Sequence, residues 1–330
     1  MTTHTGTIPS KTRRETVLHL SGIRQRHFYG KGYRAKANIT IDNLLHRLHA
    51  TINQQIEVIQ DQLTRTRVTL IDGRPTILDF IDTDIIDEFR HDIQEHGIRL
   101  RLSEEVVKIE KTDTGKVITY LKSGKRVASE MIMVAAGRKG ATDALVLENA
   151  GLEADSQGRL NVDEHYLTAV PNIYAVGDVI GFPALASTSA EQGRLAAYHA
   201  FDVVTTSRPE HFPFGIYAIP EISTCGKTEQ ELHADGIAYE TGIARLKETA
   251  RGQIQGTNEG ILKLIFALDG QRLLGAHIVG EGATELIHIG QAVMAHEGTL
   301  DYFIGAVFNY PTLAEAYKIA ALDAWNRINC

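Results

Sequence analysis

Cysteine is almost missing from this chain. Of 330 residues only Cys225 and Cys330 are cysteines, and neither belongs to a CxxC pair or a metal-ligand spacing. A disulfide framework is excluded. Long apolar runs are absent too, so no membrane span is expected. Basic residues are not in excess: 34 Lys and Arg against 41 Asp and Glu give a net charge of −7. Nothing in that balance recruits nucleic acid or an acidic membrane surface. The opening Met1-Thr-Thr-His-Thr-Gly lacks the apolar core of a signal peptide, and a cytoplasmic location is expected. One further absence matters more. No strand–GxGxxG–helix unit, the usual cradle for a dinucleotide pyrophosphate, occurs anywhere. Gly30-Lys-Gly32-Tyr-Arg-Ala35 follows a helical pattern rather than a strand. Gly280-Glu-Gly282 follows a strand but sets Glu281 beside any phosphate.

What is present is an ordinary globular composition, 43% hydrophobic and 23% charged, long enough for two or three domains. Residues 12–28 and 43–64 read as helices; the second carries Leu44, Leu48, Ile52, Ile56, Ile59 and Leu63 at helical spacing, with Asp42 as its N-cap. Then the pattern changes. Val68 to Asp72 reads as a strand turned by Gly73-Arg-Pro75. A helix is expected over 83–96, and strands over 98–102, 105–111, 117–122 and 130–135. The run from Met131 to Ala136 has the uniform apolarity of a strand buried on both faces. A further apolar run, Ile173 to Val176, ends in Gly177-Asp178 and leads to a small-residue helix over 184–201. That pattern delivers a carboxylate to a bulky cofactor. The glycine admits close approach, and the aspartate accepts hydrogen bonds from cofactor hydroxyls.

Arg208-Pro209 and Phe212-Pro213 mark a linker. Beyond it strands are expected over 238–247, 260–268 and 272–279, the last two joined through Asp269-Gly270, and helices over 283–297 and 312–328. The histidines at 277, 288 and 296 show no metal-ligand spacing and read as satisfied polar contacts.

Several motifs together resemble the flavin-dependent pyridine nucleotide–disulfide oxidoreductases. They are Thr5-Gly-Thr-Ile-Pro-Ser-Lys11, Ala175-Val-Gly-Asp178 with Ala184-Leu-Ala186, Ile216 to Glu221, His288-Ile-Gly-Gln291 and Phe308-Asn-Tyr-Pro-Thr-Leu-Ala-Glu315. The family's redox cysteine positions fall on Thr2 and Thr7, which form neither disulfide nor thiolate. Tyr310 stands where dithiol members carry a histidine base. Both halves of the thiol chemistry are absent together, as in the family's transhydrogenase branch.

The resemblance implies an α/β fold: incomplete, three-layer FAD- and NAD(P)-binding domains followed by an α+β dimerisation domain. The implied segments are 1–67 and 141–207 from the FAD domain, 68–140 from the NAD(P) domain and 208–330 for dimerisation. It implies FAD as cofactor, NADPH and NAD⁺ as substrates, hydride transfer between them, and a homodimer. Lys11 would lie near flavin N5. Gly177 and Asp178 would hold the ribityl side, and Ala184, Leu185 and Ala186 would pack along the ring. Asp72, Val106 and Gly137 would flank the nicotinamide cofactor. Lys11, Tyr310 and Glu315 are the candidate catalytic residues. Tyr310 and Glu315 are expected to be structural, because no thiol awaits a base; Tyr310 is expected at the subunit interface. The missing glycine loops favour a rival reading, a non-catalytic dimerising remnant without flavin. Missing strands would also leave apolar faces such as Met131 to Val134 exposed.

Overall fold

The strand expected at 68–72 is observed as β1, Thr69–Ile71, in a computed structural model that describes residues 68–135, 137–204, 211–256 and 259–329. The helices expected at 12–28 and 43–64, with Asp42, lie outside the described residues, as do Thr2, Thr7, Lys11, the Gly30–Gly32 string and Arg208-Pro209.

β1 pairs in parallel with β2, Arg99–Arg101, across helix α1, Thr83–Glu95. Helix α1 starts where Asp82 caps it, its side chain accepting from the Asp84 N–H at 3.2 Å. Ile85, Ile86, Phe89 and Ile93 form its buried face. A three-stranded sheet follows, in the order β3 (Val106–Lys111), β4 (Val117–Leu121) and β5 (Arg126–Ser129).

A third sheet has five strands: β6 (Phe214–Ile216), β7 (Ile222–Gly226), β8 (Tyr239–Arg245), β9 (Ile261–Ala267) and β10 (Leu273–Val279), in the order β6-β7-β10-β9-β8. The β7–β10, β10–β9 and β9–β8 pairings are antiparallel. All seven residues of β9 are buried, because both sheet faces are covered. On one face Leu262, Leu264 and Phe266 join a core with α5 (Ala283–Ala295), α6 (Leu300–Gly305) and α7 (Glu315–Ile328). Tyr317 is sealed there, donating to the Leu286 carbonyl at 2.8 Å and accepting from the Gly290 N–H at 3.1 Å. Gly242 lets β8 meet α7: a Cβ there would sit 1.9 Å from the Ala320 carbonyl oxygen. On the other face Ile222, Ile261 and Val279 pack with Ile77, Ile81, Ile85, Ile86, Phe89 and Ile93 of the α1 region. Short helices α3, Glu229–Ala234, and α4, Ala250–Gln255, complete this module.

By backbone proximity the chain divides into two compact units. One holds the described residues of 68–111, 118–128 and 215–329; the other holds 112–117 and 129–214. The second unit is poorer in regular structure, with one long helix, α2, Ala186–Ala200.

Two expectations fail in that unit. Residues 131–135 form no strand, and Met131, Met133 and Val134 are 82%, 88% and 69% exposed. A strand buried on both faces needs neighbours to complete its ladder, and none pairs with it among the described residues. Ile173 to Val176 likewise makes only an isolated bridge, between Tyr174 and Leu167, before a 3₁₀ turn at Gly177–Ile180.

Candidate functional site

The segment expected to face a flavin is held by three hydrogen bonds, all within the second unit. Gly177 has φ +78°, and its N–H donates to Gln192 Oε1 at 2.7 Å, fixing the turn to helix α2. A Cβ on Gly177 would lie 3.0 Å from Ser189 Oγ. Asp178 follows, half exposed. Its Oδ2 accepts from Arg138 Nη1 at 2.6 Å, and Arg138 Nη2 reaches the Ala184 carbonyl at 3.3 Å. Arg138 thereby links both ends of the expected flavin-side loop. The sequence reading missed it, although it stands next to the singled-out Gly137 (φ +94°).

Beyond Ala184, Leu185 occupies the N-cap of α2 without a capping hydrogen bond from its side chain, and Ala186 opens the helix. The fifteen-residue helix thus begins without a side-chain cap, and a helix N-terminus favours a negatively charged ligand atom. An exposed carboxylate and an uncapped helix start are chemically suited to the hydroxyls and the ring carbonyl of a flavin. For the pyrophosphate no glycine loop is found among the described residues. Gly280-Glu-Gly282 does not serve as one: the α5 N-terminus is already capped by Glu221, whose Oε2 accepts from Thr284 N at 3.1 Å and Oγ1 at 2.8 Å.

Of the nucleotide-side candidates, Asp72 and Val106 lie in the other unit, whereas Gly137 lies in the second unit beside Arg138. Asp72 follows β1, at the carboxyl end of the parallel pair. Its Oδ1 accepts from the Arg74 backbone N–H at 2.9 Å and from Nε at 3.1 Å, while Oδ2 takes Nη2 at 2.8 Å. The Arg74 side chain holds the Asp72 carboxyl below its ordinary range. Val106 sits in β3, 41% exposed.

The C-terminal candidates are separated in role. Tyr310 is 78% exposed. Glu315 is engaged with backbone, its Oε2 accepting from Ala250 N and its Oε1 from Thr312 N, both at 3.3 Å. It acts as a cap. Of the histidines, His277 is fully buried between the Thr224 hydroxyl and the Lys227 carbonyl, and burial pulls it below the usual histidine range. His288 Nδ1 lies 2.8 Å from Gln291 Oε1. Cys225 is buried, and desolvation pushes its thiol up to about 12, so no reactive thiolate arises there.

The most concentrated charge cluster was not anticipated at all. Lys263, in the centre of β9, is fully buried and donates from Nζ to Asp82 Oδ1 at 2.7 Å, Asp84 Oδ2 at 2.7 Å, and Glu229. Asp82 Oδ2 also accepts from the Glu229 N–H at 3.1 Å. Burial by itself raises Asp82, but the groups beside it, His277 and Lys263, outweigh that and bring the carboxyl below its ordinary value. Burial lowers His277 from its ordinary value, and Lys263 is the cation in direct contact with Asp82. The three carboxylates lie close enough to hold a metal ion, and the ammonium fills that role. The signal was a lysine inside the otherwise apolar run Ile261-Leu-Lys-Leu-Ile-Phe-Ala267.

Residues 50–193 match the family model described as pyridine nucleotide-disulphide oxidoreductase, and 212–321 match that family's dimerisation domain. The soluble pyridine nucleotide transhydrogenase of Mycobacterium bovis (strain BCG / Pasteur 1173P2) is 39% identical over 418 residues, covering 98% of this chain and 89% of the relative. That alignment is longer than this chain of 330 residues, so it bridges segments that the chain lacks. The Serratia proteamaculans (strain 568) soluble pyridine nucleotide transhydrogenase is 50% identical over 266 residues, 79% of this chain and 57% of the relative. Among solved structures, LpdA from Mycobacterium tuberculosis superposes with TM-score 0.71 at 26% identity, over 77% of this chain and 56% of that one. The HOCl-induced flavoprotein disulfide reductase RclA from Escherichia coli shares the fold, with TM-score 0.71 at 24% identity, over 78% and 59%. The chain thus spans under two thirds of these solved relatives.

Proposed function

This chain belongs to the pyridine nucleotide-disulphide oxidoreductase family, and from that premise we propose that its function is flavin-dependent hydride transfer between NADPH and NAD⁺, as a homodimer in the cytoplasm. The observation that carries the reading is the Gly177-Asp178 turn, fixed to α2 by Gln192 and presenting an exposed carboxylate beside an uncapped helix start. FAD, when bound, supplies the carrier that takes a hydride from one nicotinamide and gives it to the other. The chain's residues bind and orient. Asp178 would accept from ribityl hydroxyls, and Ala184, Leu185 and Ala186, being small or apolar, would pack against the ring system. The N–H groups of that start favour the negative charge a reduced flavin carries. Lys11, by its motif, is assigned to the same reduced, anionic state. Asp72, with Val106 and Gly137 beside the same cofactor, reads the adenosine ribose of the nicotinamide cofactor. Thr2 and Thr7 in place of redox cysteines leave no thiol between flavin and nucleotide, so Tyr310 and Glu315 have no base role.

The test is flavin retention. After incubation with FAD and desalting, Asp178→Ala is expected to hold less flavin than the parent chain; equal content in the two would overturn the assignment of Asp178. A second reading, a dimerising module without flavin, is favoured by one observation, the exposed Met131, Met133 and Val134. It predicts a colourless parent chain that still dimerises.

A further inference from the structure

Of the four methionines in this chain, Met131, Met133 and Met294 lie among the described residues, and their surroundings are opposite. Met294, in α5, is 3% exposed and belongs to the core around Tyr317. Its sulfur is so closely packed that a Cβ on Gly226 would lie 2.7 Å from Sδ. Met131 and Met133 are 82% and 88% exposed and lie outside every strand and helix. Between and after them Ile132 is 37% and Val134 69% exposed, so four consecutive apolar side chains meet water. A thioether is soft and nucleophilic, and it reacts with an oxidant only where its sulfur can reach solvent. The core sulfur is shielded from that chemistry and the two surface sulfurs are open to it. The two are also the most exposed members of the apolar run. An oxygen on each would place a strong dipole and a hydrogen-bond acceptor where the patch is now least polar.

We propose that Met131 and Met133 form a paired, reversible oxidation site for hydroperoxides, through which an oxidant turns the apolar patch at 131–134 into a polar one. In the forward step a sulfur lone pair attacks the hydroxyl oxygen of the peroxide. An S–O bond forms, the O–O bond breaks, and the proton of the transferred hydroxyl passes to the departing oxygen, which leaves as water or an alcohol. Sulfur gives up two electrons and the peroxide takes them. In the return step two thiols of a reductant remove the oxygen as water and are themselves oxidised to a disulfide. Cys225 takes no part, being buried with its thiol pushed up to about 12. The proposal goes beyond the flavin reading and does not rest on it.

The experiment treats the full chain with graded hydrogen peroxide, then digests it with trypsin and weighs the peptides. Cleavage after Arg126 and Arg138 puts Met131 and Met133 on one peptide, while Met294 falls on another, residues 273–318. The first peptide is expected to gain oxygen about tenfold faster than the second, or more, and a methionine sulfoxide reductase supplied with a thiol should remove it. The polarity change is read with an apolar-surface dye, anilinonaphthalene sulfonate, whose fluorescence on the parent chain should fall after peroxide and recover after reduction. The double variant Met131→Leu/Met133→Leu keeps an apolar patch without sulfur. Its dye fluorescence should match the parent's before peroxide and stay unchanged afterwards. Equal oxidation of the two peptides, a parent whose dye fluorescence does not respond, or a variant that responds as the parent does would each overturn the site. None of these readings involves FAD. A chain that retains flavin but oxidises both peptides alike loses only this inference, whereas a colourless chain that oxidises as described loses only the flavin assignment.

Discussion

Two ion pairs in this molecule use the same chemistry in opposite surroundings. Lys263 is fully buried and shared by Asp82, Asp84 and Glu229, which come from the α1 start and from α3. Arg138 and Asp178 pair at 2.6 Å with side chains 72% and 51% exposed. The first is an obligation of the fold. Once β9 is covered on both faces its central lysine cannot reach water, and every carboxylate around it becomes indispensable. The second lies in water and is free to open. The exposed Asp72–Arg74 pair belongs with the second kind. Burial, more than residue type, separates the two kinds of pair here.

The largest effect should come from breaking the buried cluster. Lys263→Met leaves Asp82 buried and unpaired, and should cost about 3–5 kcal/mol in urea unfolding. Adding Asp82→Asn to that variant should recover part of the loss; no recovery would mean the lysine acts by its packing rather than its charge. Acid titration gives a smaller contrast within one helix. Asp82 is held below its ordinary pKa, so its contribution is present above about pH 4 and is lost as the pH falls through the lowered folded value. Asp92, near the other end of α1, runs the opposite way. Burial, a hydrogen bond with Glu259 and the charge of Glu259 raise it to about 7, while His96 opposes them and Glu95 adds to the rise. The folded state therefore binds the extra proton, and stability should fall as pH rises from about 4 to 7, with no further change from this group above that. Asp92→Asn should flatten that slope in pH-dependent denaturation, and an unchanged slope would remove the group from the account. Smallest of all, Arg138→Met should shift stability by about 1 kcal/mol or less. A loss as large as that of Lys263→Met would erase the distinction between the two pairs.

Much of the module after residue 211 was legible because its signals are local. Asp269-Gly270 marked the β9–β10 hairpin, and helices were expected over 283–297 and 312–328, where α5 and α7 lie. The short elements were missed. β7 is Ile-Ser-Thr-Cys-Gly, half polar, and reads as a loop until it lies beside β10. Helix α3 did carry a local sign, a capping box between Thr228 and Glu231, that went unread. Met131 to Ala136 failed for a non-local reason, since apolarity makes a strand only where partner strands exist. Of the candidate site, Gly177-Asp178 and Asp72 stood out by motif. Their partners Arg138 and Arg74 did not, because an arginine beside a glycine in a loop carries no pattern of its own. Lys263 was hidden because a lysine in a strand is read as an edge facing water unless the sheet is known to be covered.

The account turns on whether this chain builds a flavin site, and one measurement addresses it directly: the visible absorption spectrum of the purified chain after incubation with FAD and desalting, followed by NADPH and then NAD⁺. The account predicts a retained flavin band that NADPH bleaches and NAD⁺ restores. A colourless protein would contradict it and leave a dimerising module as the surviving reading.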